Sequence, residues 1–92
     1  MCLDEPQLFW GVVIDASDGS PIKGACVEFV CYGVLVGQAL TDNYGNYVMF
    51  GPSHEGHYGI ITAGAEGYLA LGISLDPVGP PERKDFTLER DI

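Results

Sequence analysis

The chain has 92 residues, with 13 acidic and 4 basic side chains, so its formal net charge is −9. This length fits one domain, and the shortage of lysine and arginine argues against binding to nucleic acid or to an anionic membrane surface. Hydrophobic residues make up 47 % of the chain, which excludes a disordered composition. No apolar run reaches the length of about 18–20 residues that a membrane-spanning helix needs, so we expect no membrane insertion.

Glycine and proline divide the chain into short apolar runs about 8–12 residues apart, a spacing typical of all-β sandwiches and barrels. In chain order, the predicted strands are 8–14, 25–32, 34–41, 47–50, 57–63, 67–75 and 84–89. The segment 76–81 contains three prolines, which lack backbone donors and cannot form a central strand. We therefore expect an all-β fold, a seven-stranded antiparallel β-sandwich of the immunoglobulin-like, Greek-key kind.

Alternating hydrophobicity assigns the faces of the second strand, where Ala25, Val27 and Phe29 should point inward. The first and third strands break this alternation because they are apolar on both faces, whereas a strand of an antiparallel sandwich normally has one face in water. Two explanations remain open. Loops or the N-terminal segment cover the second face, or that face binds a protein partner, for which the candidate residues are Trp10, Val12, Ile14 and Leu35.

Two histidines and a glutamate lie close together in a predicted loop, at His54, Glu55 and His57. Imidazole and carboxylate groups could bind zinc or copper, although the spacing is not that of the helical His-Glu-x-x-His motif and no cysteine pattern completes a site. The alternative is a polar loop tip. Aspartates in predicted turns offer a similar choice between gathering calcium and capping turn backbone groups: Asp15, Asp18, Asp42 and Asp76.

The cysteines do not identify a compartment. Cys26 and Cys31 lie five residues apart in one predicted strand, so their side chains point to opposite faces and cannot form a disulfide unless the strand bends. Cys2 lies near the start, where no signal-peptide pattern is present. We expect an extracytoplasmic location, periplasmic or at the cell surface, if a signal peptide has been removed, and a cytoplasmic one otherwise.

Several turn motifs follow one another in a defined order. They are Gly11–Asp15, Asp18-Gly19-Ser20-Pro21 with Gly24–Val27, Thr41–Tyr47, Gly56-His57-Tyr58, Glu66-Gly67-Tyr68 and Asp85–Leu88. Their order resembles that of the carboxypeptidase regulatory-like domain, a transthyretin-like (prealbumin-like) β-sandwich. The resemblance covers residues 8–89 as one domain, with 1–7 as an N-terminal segment and 90–92 as a C-terminal tail.

This resemblance implies a non-catalytic accessory or interaction module, not an enzyme, that contacts another protein or a neighbouring domain of its parent protein and needs no cofactor. Unpaired edge strands allow it to be a monomer or a weak dimer. The alternative function is a carbohydrate- or metal-binding module that uses loop residues. In the carbohydrate case, the aromatic residues that would stack on sugar rings are Trp10, Tyr32 and Tyr44.

We expect three tyrosines, Tyr47, Tyr58 and Tyr68, to point inward with hydroxyls that reach the rim. Transthyretin-like hydrolases of purine breakdown use histidine and arginine residues and a characteristic C-terminal tetrapeptide. Here the first predicted strand has no histidine and the chain ends Leu88-Glu89-Arg90-Asp91-Ile92. We therefore do not expect that hydrolase activity.

Overall fold

The computed structural model describes residues 7–51 and 55–91, and these consist of strands, turns and loops. Their strands are β1 (Gln7–Asp15), β2 (Cys26–Cys31), β3 (Val34–Leu40), β4 (Asn46–Phe50), β5 (Gly59–Gly64), β6 (Leu71–Leu75), β7 (Glu82–Arg83) and β8 (Phe86–Leu88). Within these two ranges, no helix is long and apolar enough to span a membrane.

The strands form two sheets. In the first sheet, β1 pairs with β4 on one side in antiparallel fashion, and with β7 and then β8 on the other side in parallel fashion. The second sheet has the order β3-β2-β5-β6 and is antiparallel throughout. The chain moves from one sheet to the other after β1, β3, β4 and β6. This architecture confirms the predicted β-sandwich.

The core lies between the two sheets and is filled by alternate residues of the central strands. Phe29 of β2 packs against Phe9 of β1 with ring centroids 5.0 Å apart and planes at 78°, the edge-to-face arrangement that aromatic pairs favour. The predicted inward face of the second strand is confirmed, because Ala25, Val27 and Phe29 are fully buried. Cys31 is buried and Cys26 half-buried, and both are free thiols.

The last predicted strand, 84–89, differs from the observed chain path. It begins earlier and is interrupted at Lys84 and Asp85, which separate β7 from β8. At the interruption the Asp85 carboxylate accepts a hydrogen bond of 2.9 Å from the backbone N–H of Val12, so a side chain takes the place of a backbone acceptor. The described part of the chain therefore has eight strands where seven were predicted, and the last two run parallel to β1.

Gly11 lies beside this interruption, and a larger residue does not fit there. A Cβ at Gly11 would overlap the carbonyl oxygen of Lys84 and would come within 2.6 Å of an Asp85 carboxylate oxygen. We expect Gly11→Ala to lower the free energy of unfolding by about 1–3 kcal/mol, because overpacking forces the backbone to move. Urea unfolding followed by circular dichroism measures this change.

The matched control for Gly11→Ala is Gly79→Ala, because an added Cβ there meets no heavy atom within 4 Å. The free energy of unfolding of this second variant should stay within about 0.5 kcal/mol of the parent value. Equal losses in the two variants would mean that the strand interruption does not approach β1 as closely as the structure shows.

Candidate functional site

The end of β1 carries a buried carboxylate, Asp15, whose side chain has no exposed surface. The turn that follows, residues 16–20, folds back so that the backbone N–H of Asp15 donates to the carbonyl of Ser20 and the N–H of Gly19 donates to the carbonyl of Asp15, both at 2.8 Å. This turn places Ser17 next to the carboxylate. Oδ1 of Asp15 accepts hydrogen bonds from the Ser17 backbone N–H at 2.7 Å and from the Ser17 hydroxyl at 2.5 Å.

The second oxygen of Asp15 is held by residues far away in the sequence. Oδ2 accepts hydrogen bonds from the Tyr68 hydroxyl and from Nε of Arg90, each at 2.7 Å. We call Asp15, Ser17, Tyr68 and Arg90 the Asp15 cluster. The cluster links β1 to the loop before β6 and to the segment after β8, so one buried carboxylate ties three parts of the chain together.

Backbone hydrogen bonds fix the two distant members of the Asp15 cluster. Leu69 donates to the carbonyl of Glu89 at 2.8 Å, and Asp91 donates to the carbonyl of Gly67 at 2.9 Å. These two hydrogen bonds pair Tyr68 with Arg90 in an isolated antiparallel β-bridge. Ala16 also donates to the carbonyl of Leu88 at 2.9 Å. These contacts fix the backbone of Arg90, and Asp15 holds its side chain.

The hydrogen bonds to Asp15 favour its charged form. The Ser17 hydroxyl contributes most, followed by the Tyr68 hydroxyl, and together they hold the pKa of Asp15 far below its usual range. Because Tyr68 donates its proton to this carboxylate, the pKa of Tyr68 is raised, and the same carboxylate raises the pKa of Arg90. The cluster thus contains an ionised Asp15–Arg90 pair at neutral pH. Asp15 accepts hydrogen bonds there but does not take up a proton.

An open pocket of about 450 Å³ lies on the outside of the Asp15 cluster. Its lining residues are Ala16, Ser17, Thr87, Glu89 and Arg90. The Arg90 side chain is about half exposed, at 53 %, while Asp15 behind it is buried. Nη2 of Arg90 also lies 3.9 Å from a carboxylate oxygen of Asp18, which is too far for a hydrogen bond. The guanidinium group therefore keeps N–H donors for a molecule in the pocket, while Nε fixes its orientation.

The predicted metal site falls partly outside the described residues, because His54 is not among them. Glu55 and His57 are exposed, and the His57 ring lies 5.6 Å from the Tyr32 ring. Among the described residues, no group of three or more His, Cys, Asp or Glu side chains is arranged to hold a metal ion. A metal site at His54, Glu55 and His57 stays a prediction. Capping of turn backbone groups is present at Asp15, Asp18 and Asp42. Asp15 accepts a hydrogen bond from the Ser17 N–H, Asp18 from the Ser20 N–H, and Asp42 from the Tyr44 and Asn46 N–H groups.

The predicted partner-surface residues lie on two different sheets. Trp10, Val12 and Ile14 are half-buried and alternate with the core residues of β1, so they lie on the outer face of the first sheet. Leu35 is 50 % exposed on β3, at the edge of the second sheet. The structure does not bring all four residues together into one surface, and their binding to a protein stays a prediction.

The exposed loop aromatics are also separate from one another. Tyr32 lies in the turn before β3 and Tyr44 in the turn after it, and a seven-residue strand separates these ends by roughly 20 Å.

Among the three tyrosines expected to point inward, Tyr47 is buried and its hydroxyl donates to the carbonyl of Lys84 at 2.6 Å. Tyr58 is 40 % exposed, so the prediction for it is wrong: it lies just before β5 begins, outside the alternation of that strand.

Solved structures with a similar fold are available for comparison, whereas no family model and no curated protein matches the chain. Klebsiella pneumoniae 5-hydroxyisourate hydrolase has a TM-score of 0.73 and 17 % identity, and the match covers 95 % of this chain and 93 % of that one. The 3-chlorocatechol 1,2-dioxygenase of Rhodococcus opacus 1CP has a TM-score of 0.64 and 17 % identity, and the match covers 99 % of this chain and 63 % of that one. An (S)-allantoin synthase has a TM-score of 0.60 and 14 % identity, and the match covers 94 % of this chain and 41 % of that one.

The fold is thus a transthyretin-like β-sandwich. These neighbours also correct the prediction of a non-catalytic accessory or interaction module, together with its carbohydrate- or metal-binding alternative. That prediction rested on the resemblance to the carboxypeptidase regulatory-like domain, whereas the same fold is present in a hydrolase, a dioxygenase and a synthase. At 14–17 % identity the similarity itself shows the fold alone.

Sequence reasoning missed the Asp15 cluster as a site. Asp15 and Gly67-Tyr68 appear among the turn motifs, but only as residues that shape the fold. Arg90 was assigned to the C-terminal tail and had no predicted role. The available signal was a lone aspartate at the end of an apolar strand, which has to be either exposed or paired with donors. Besides Ser17, its donors are Tyr68 and Arg90, which lie 53 and 75 residues away, so spacing could not reveal them.

Proposed function

We propose that this chain is an enzyme acting on a small polar molecule, which binds in the pocket beside Arg90. The observation that supports this most is the guanidinium group of Arg90, which is half exposed to the pocket and fixed through Nε by a buried carboxylate. A cation held in place before a ligand arrives does not lose side-chain entropy on binding. The three enzymes that share the fold support a catalytic function over a purely structural one.

The lining groups define the chemistry of the proposed ligand. Arg90 offers N–H donors, which favour a carboxylate or a polarised carbonyl oxygen. The Ser17 hydroxyl proton is committed to Asp15, so its oxygen is left to accept hydrogen bonds from the pocket side. Glu89 adds an exposed carboxylate acceptor. The ligand therefore carries an anionic or carbonyl oxygen next to an N–H or O–H group.

The same groups indicate which roles the residues play in a reaction. Arg90 would stabilise negative charge that develops on an oxygen of the substrate, which is a large contribution in many enzymes. Glu89 would accept a proton from water or from the substrate. Asp15, which stays ionised, would be a positioning residue that acts through Arg90.

Titration of ¹⁵N-labelled protein with two probes tests the proposed binding site: succinate as a dicarboxylate, and allantoin as a cyclic molecule with adjacent C=O and N–H groups. We expect saturable shifts for at least one probe at the amides of residues 16, 17, 87, 89 and 90. Arg90→Gln should weaken that binding about 10-fold or more, because it removes a charge-assisted contact. The control Arg83→Gln removes an equally exposed arginine at a different place and should leave binding unchanged.

Succinate has no bond that water can open and reports binding alone, whereas hydrolysis of an amide bond of allantoin, in which water adds and the C–N bond breaks, is followed by ¹³C NMR. Glu89→Gln should retain binding and lower the rate about 100-fold or more, which is typical for loss of a general base. Absence of saturable shifts with both probes, or equal weakening by Arg90→Gln and Arg83→Gln, would contradict the proposed site. Binding of allantoin without any hydrolysis would contradict the catalytic part of the proposal.

A further inference from the structure

A second, smaller cavity of about 150 Å³ adjoins the pocket beside Arg90. We call it the leucine cavity, and the described residues that line it are Leu69, Ala70, Leu71, Thr87, Leu88 and Glu89. Thr87 and Glu89 line the Arg90 pocket as well. The two cavities therefore lie on either side of the segment 87–89, and one molecule that crosses this segment can occupy both.

Backbone hydrogen bonds fix the chain on both sides of this segment. On the side of the Arg90 pocket, the N–H of Ala16 donates to the carbonyl of Leu88 at 2.9 Å, and on the other side the N–H of Leu69 donates to the carbonyl of Glu89 at 2.8 Å. Because paired strands lie about 4.7–4.9 Å apart, the outer walls of the two cavities are separated by roughly 10 Å. An extended chain of roughly six to eight carbon atoms spans that distance.

Leu71 belongs to the core face of β6, yet it is not covered as the rest of that face is. The register places it opposite Ala63 of β5, which is fully buried in the core. At the other end of the same row of β6, Leu75 is 8 % exposed, whereas Leu71 is 40 % exposed and Leu69, two residues earlier, is 51 % exposed. The sandwich thus leaves apolar surface in water at this end of β6, and an apolar group bound there is favoured because it removes that surface from water.

The two adjoining cavities differ in chemistry. The Arg90 pocket offers the donors of a half-exposed guanidinium group that Asp15 holds in place. The leucine cavity offers aliphatic side chains, and Glu89 is the only charged residue among the described residues that line it. A purely polar ligand would leave the leucines in water, and a purely apolar one would leave the Arg90 donors unused. The complementary molecule has an oxygen-bearing head and an apolar arm.

We propose that the substrate bound beside Arg90 is an aliphatic acyl compound, recognised through its carbonyl or carboxylate oxygen, whose chain of roughly six carbon atoms lies in the leucine cavity. This inference rests on the ligand site proposed above and adds the chemical class of the substrate. Arg90 binds the oxygen, the chain crosses the segment 87–89, and Leu69 and Leu71 contact its end. The leucines therefore select substrates by chain length.

Titration of the ¹⁵N-labelled full chain with butyrate, hexanoate and octanoate at constant ionic strength tests the proposal. All three share the carboxylate head and differ only in the arm. We expect shifts at the amides of residues 16, 17, 89 and 90 with each of them, and additional shifts at residues 69–71 with hexanoate and octanoate. Each methylene that is fully buried tightens binding up to about four-fold, so octanoate should bind about 10-fold or more tightly than butyrate.

The informative variant is Leu69→Ser, and its matched control is Leu35→Ser. The two leucines are 51 % and 50 % exposed, and Leu35 lies on β3, away from the cavity. We expect Leu69→Ser to weaken octanoate binding about four-fold or more and to leave butyrate binding within about two-fold of the parent value. Leu71→Ser should act in the same way, whereas Leu35→Ser should change neither affinity.

Succinate has no free aliphatic arm and reports the Arg90 site alone, so it separates the two proposals. If succinate or allantoin binds beside Arg90 but butyrate and octanoate bind equally or not at all, this inference is wrong and the proposed function stands. Octanoate shifts at residues 69–71 without any at 16, 17 and 90, or equal effects of Leu69→Ser and Leu35→Ser, would also overturn this inference. If no probe shifts the amides around Arg90, the proposed function is wrong and this inference is wrong with it.

Discussion

Asp15→Asn is expected to lower the melting temperature by about 10 °C or more, since about 1 kcal/mol corresponds to 4–8 °C in a domain of this size. The substitution keeps the shape of the side chain but leaves one acceptor oxygen where the carboxylate has two. The new amide N–H₂ group would face either the Ser17 donors or the Tyr68 and Arg90 donors. Buried donors without an acceptor are costly. Thermal unfolding followed by circular dichroism measures the change.

The control for Asp15→Asn is Asp18→Asn in the same turn. Asp18 also accepts hydrogen bonds from a serine two residues on, the backbone N–H and hydroxyl of Ser20, and these lower its pKa. Its side chain is 55 % exposed, so water can replace the lost contacts. We expect a decrease of no more than about 3 °C. Equal decreases in the two variants would show that Asp15 is not the buried centre of its cluster.

The effect of Asp15 also depends on pH in a defined direction. Its pKa in the folded protein lies below the usual value of about 3.9 in an unfolded chain. Stability from such a group is complete above the unfolded pKa and is lost as the pH falls through the folded pKa. The difference in melting temperature between the parent chain and Asp15→Asn should therefore be constant from about pH 8 to 5 and should shrink below about pH 4. A difference that grows on acidification would contradict this assignment.

Phe29→Ala is expected to lower the free energy of unfolding by about 3–5 kcal/mol. Phe29 is fully buried between the sheets and makes the edge-to-face contact with Phe9, so truncation leaves a cavity at the centre of the core. A domain of this size has a total stability of roughly 5–15 kcal/mol, which means that the variant is close to unfolding at room temperature. Urea unfolding at several temperatures measures the loss.

The neighbouring substitution Val30→Ala serves as the control for Phe29→Ala. Val30 is the next residue of β2 but points to the outer face and is half-buried. Its truncation should cost about 1 kcal/mol or less. If Val30→Ala were as destabilising as Phe29→Ala, the two faces of β2 would not be divided between core and surface as the alternation predicts.

Local patterns in the sequence were sufficient for the sandwich and for the core face of β2. Ala25, Val27 and Phe29 alternate with Cys26 and Glu28, and a strand has a period of two residues. The same reasoning failed at the end of the chain. The interruption of the last predicted strand depends on the Asp85 carboxylate contacting the Val12 N–H, 73 residues away, which no local pattern can encode.

The candidate site was harder to predict than the fold for a similar reason. The sequence indicates a turn aspartate at Asp15 and an inward-pointing ring at Tyr68, but neither pattern indicates that they touch. Arg90 had no signal because it follows the last strand. Only the folded chain places these side chains on one carboxylate and leaves Arg90 facing a pocket.

The side-chain Nε–H signal of Arg90 in a ¹⁵N–¹H spectrum tests most directly whether Asp15 fixes this arginine beside the pocket. A hydrogen-bonded Nε–H should exchange slowly with water and should keep its chemical shift from about pH 7 down to pH 4, because Asp15 stays ionised over that range. The signal should change to that of a mobile arginine in Asp15→Asn. An Arg90 signal that exchanges like a free arginine in the parent chain, and is unaffected by Asp15→Asn, would contradict the account.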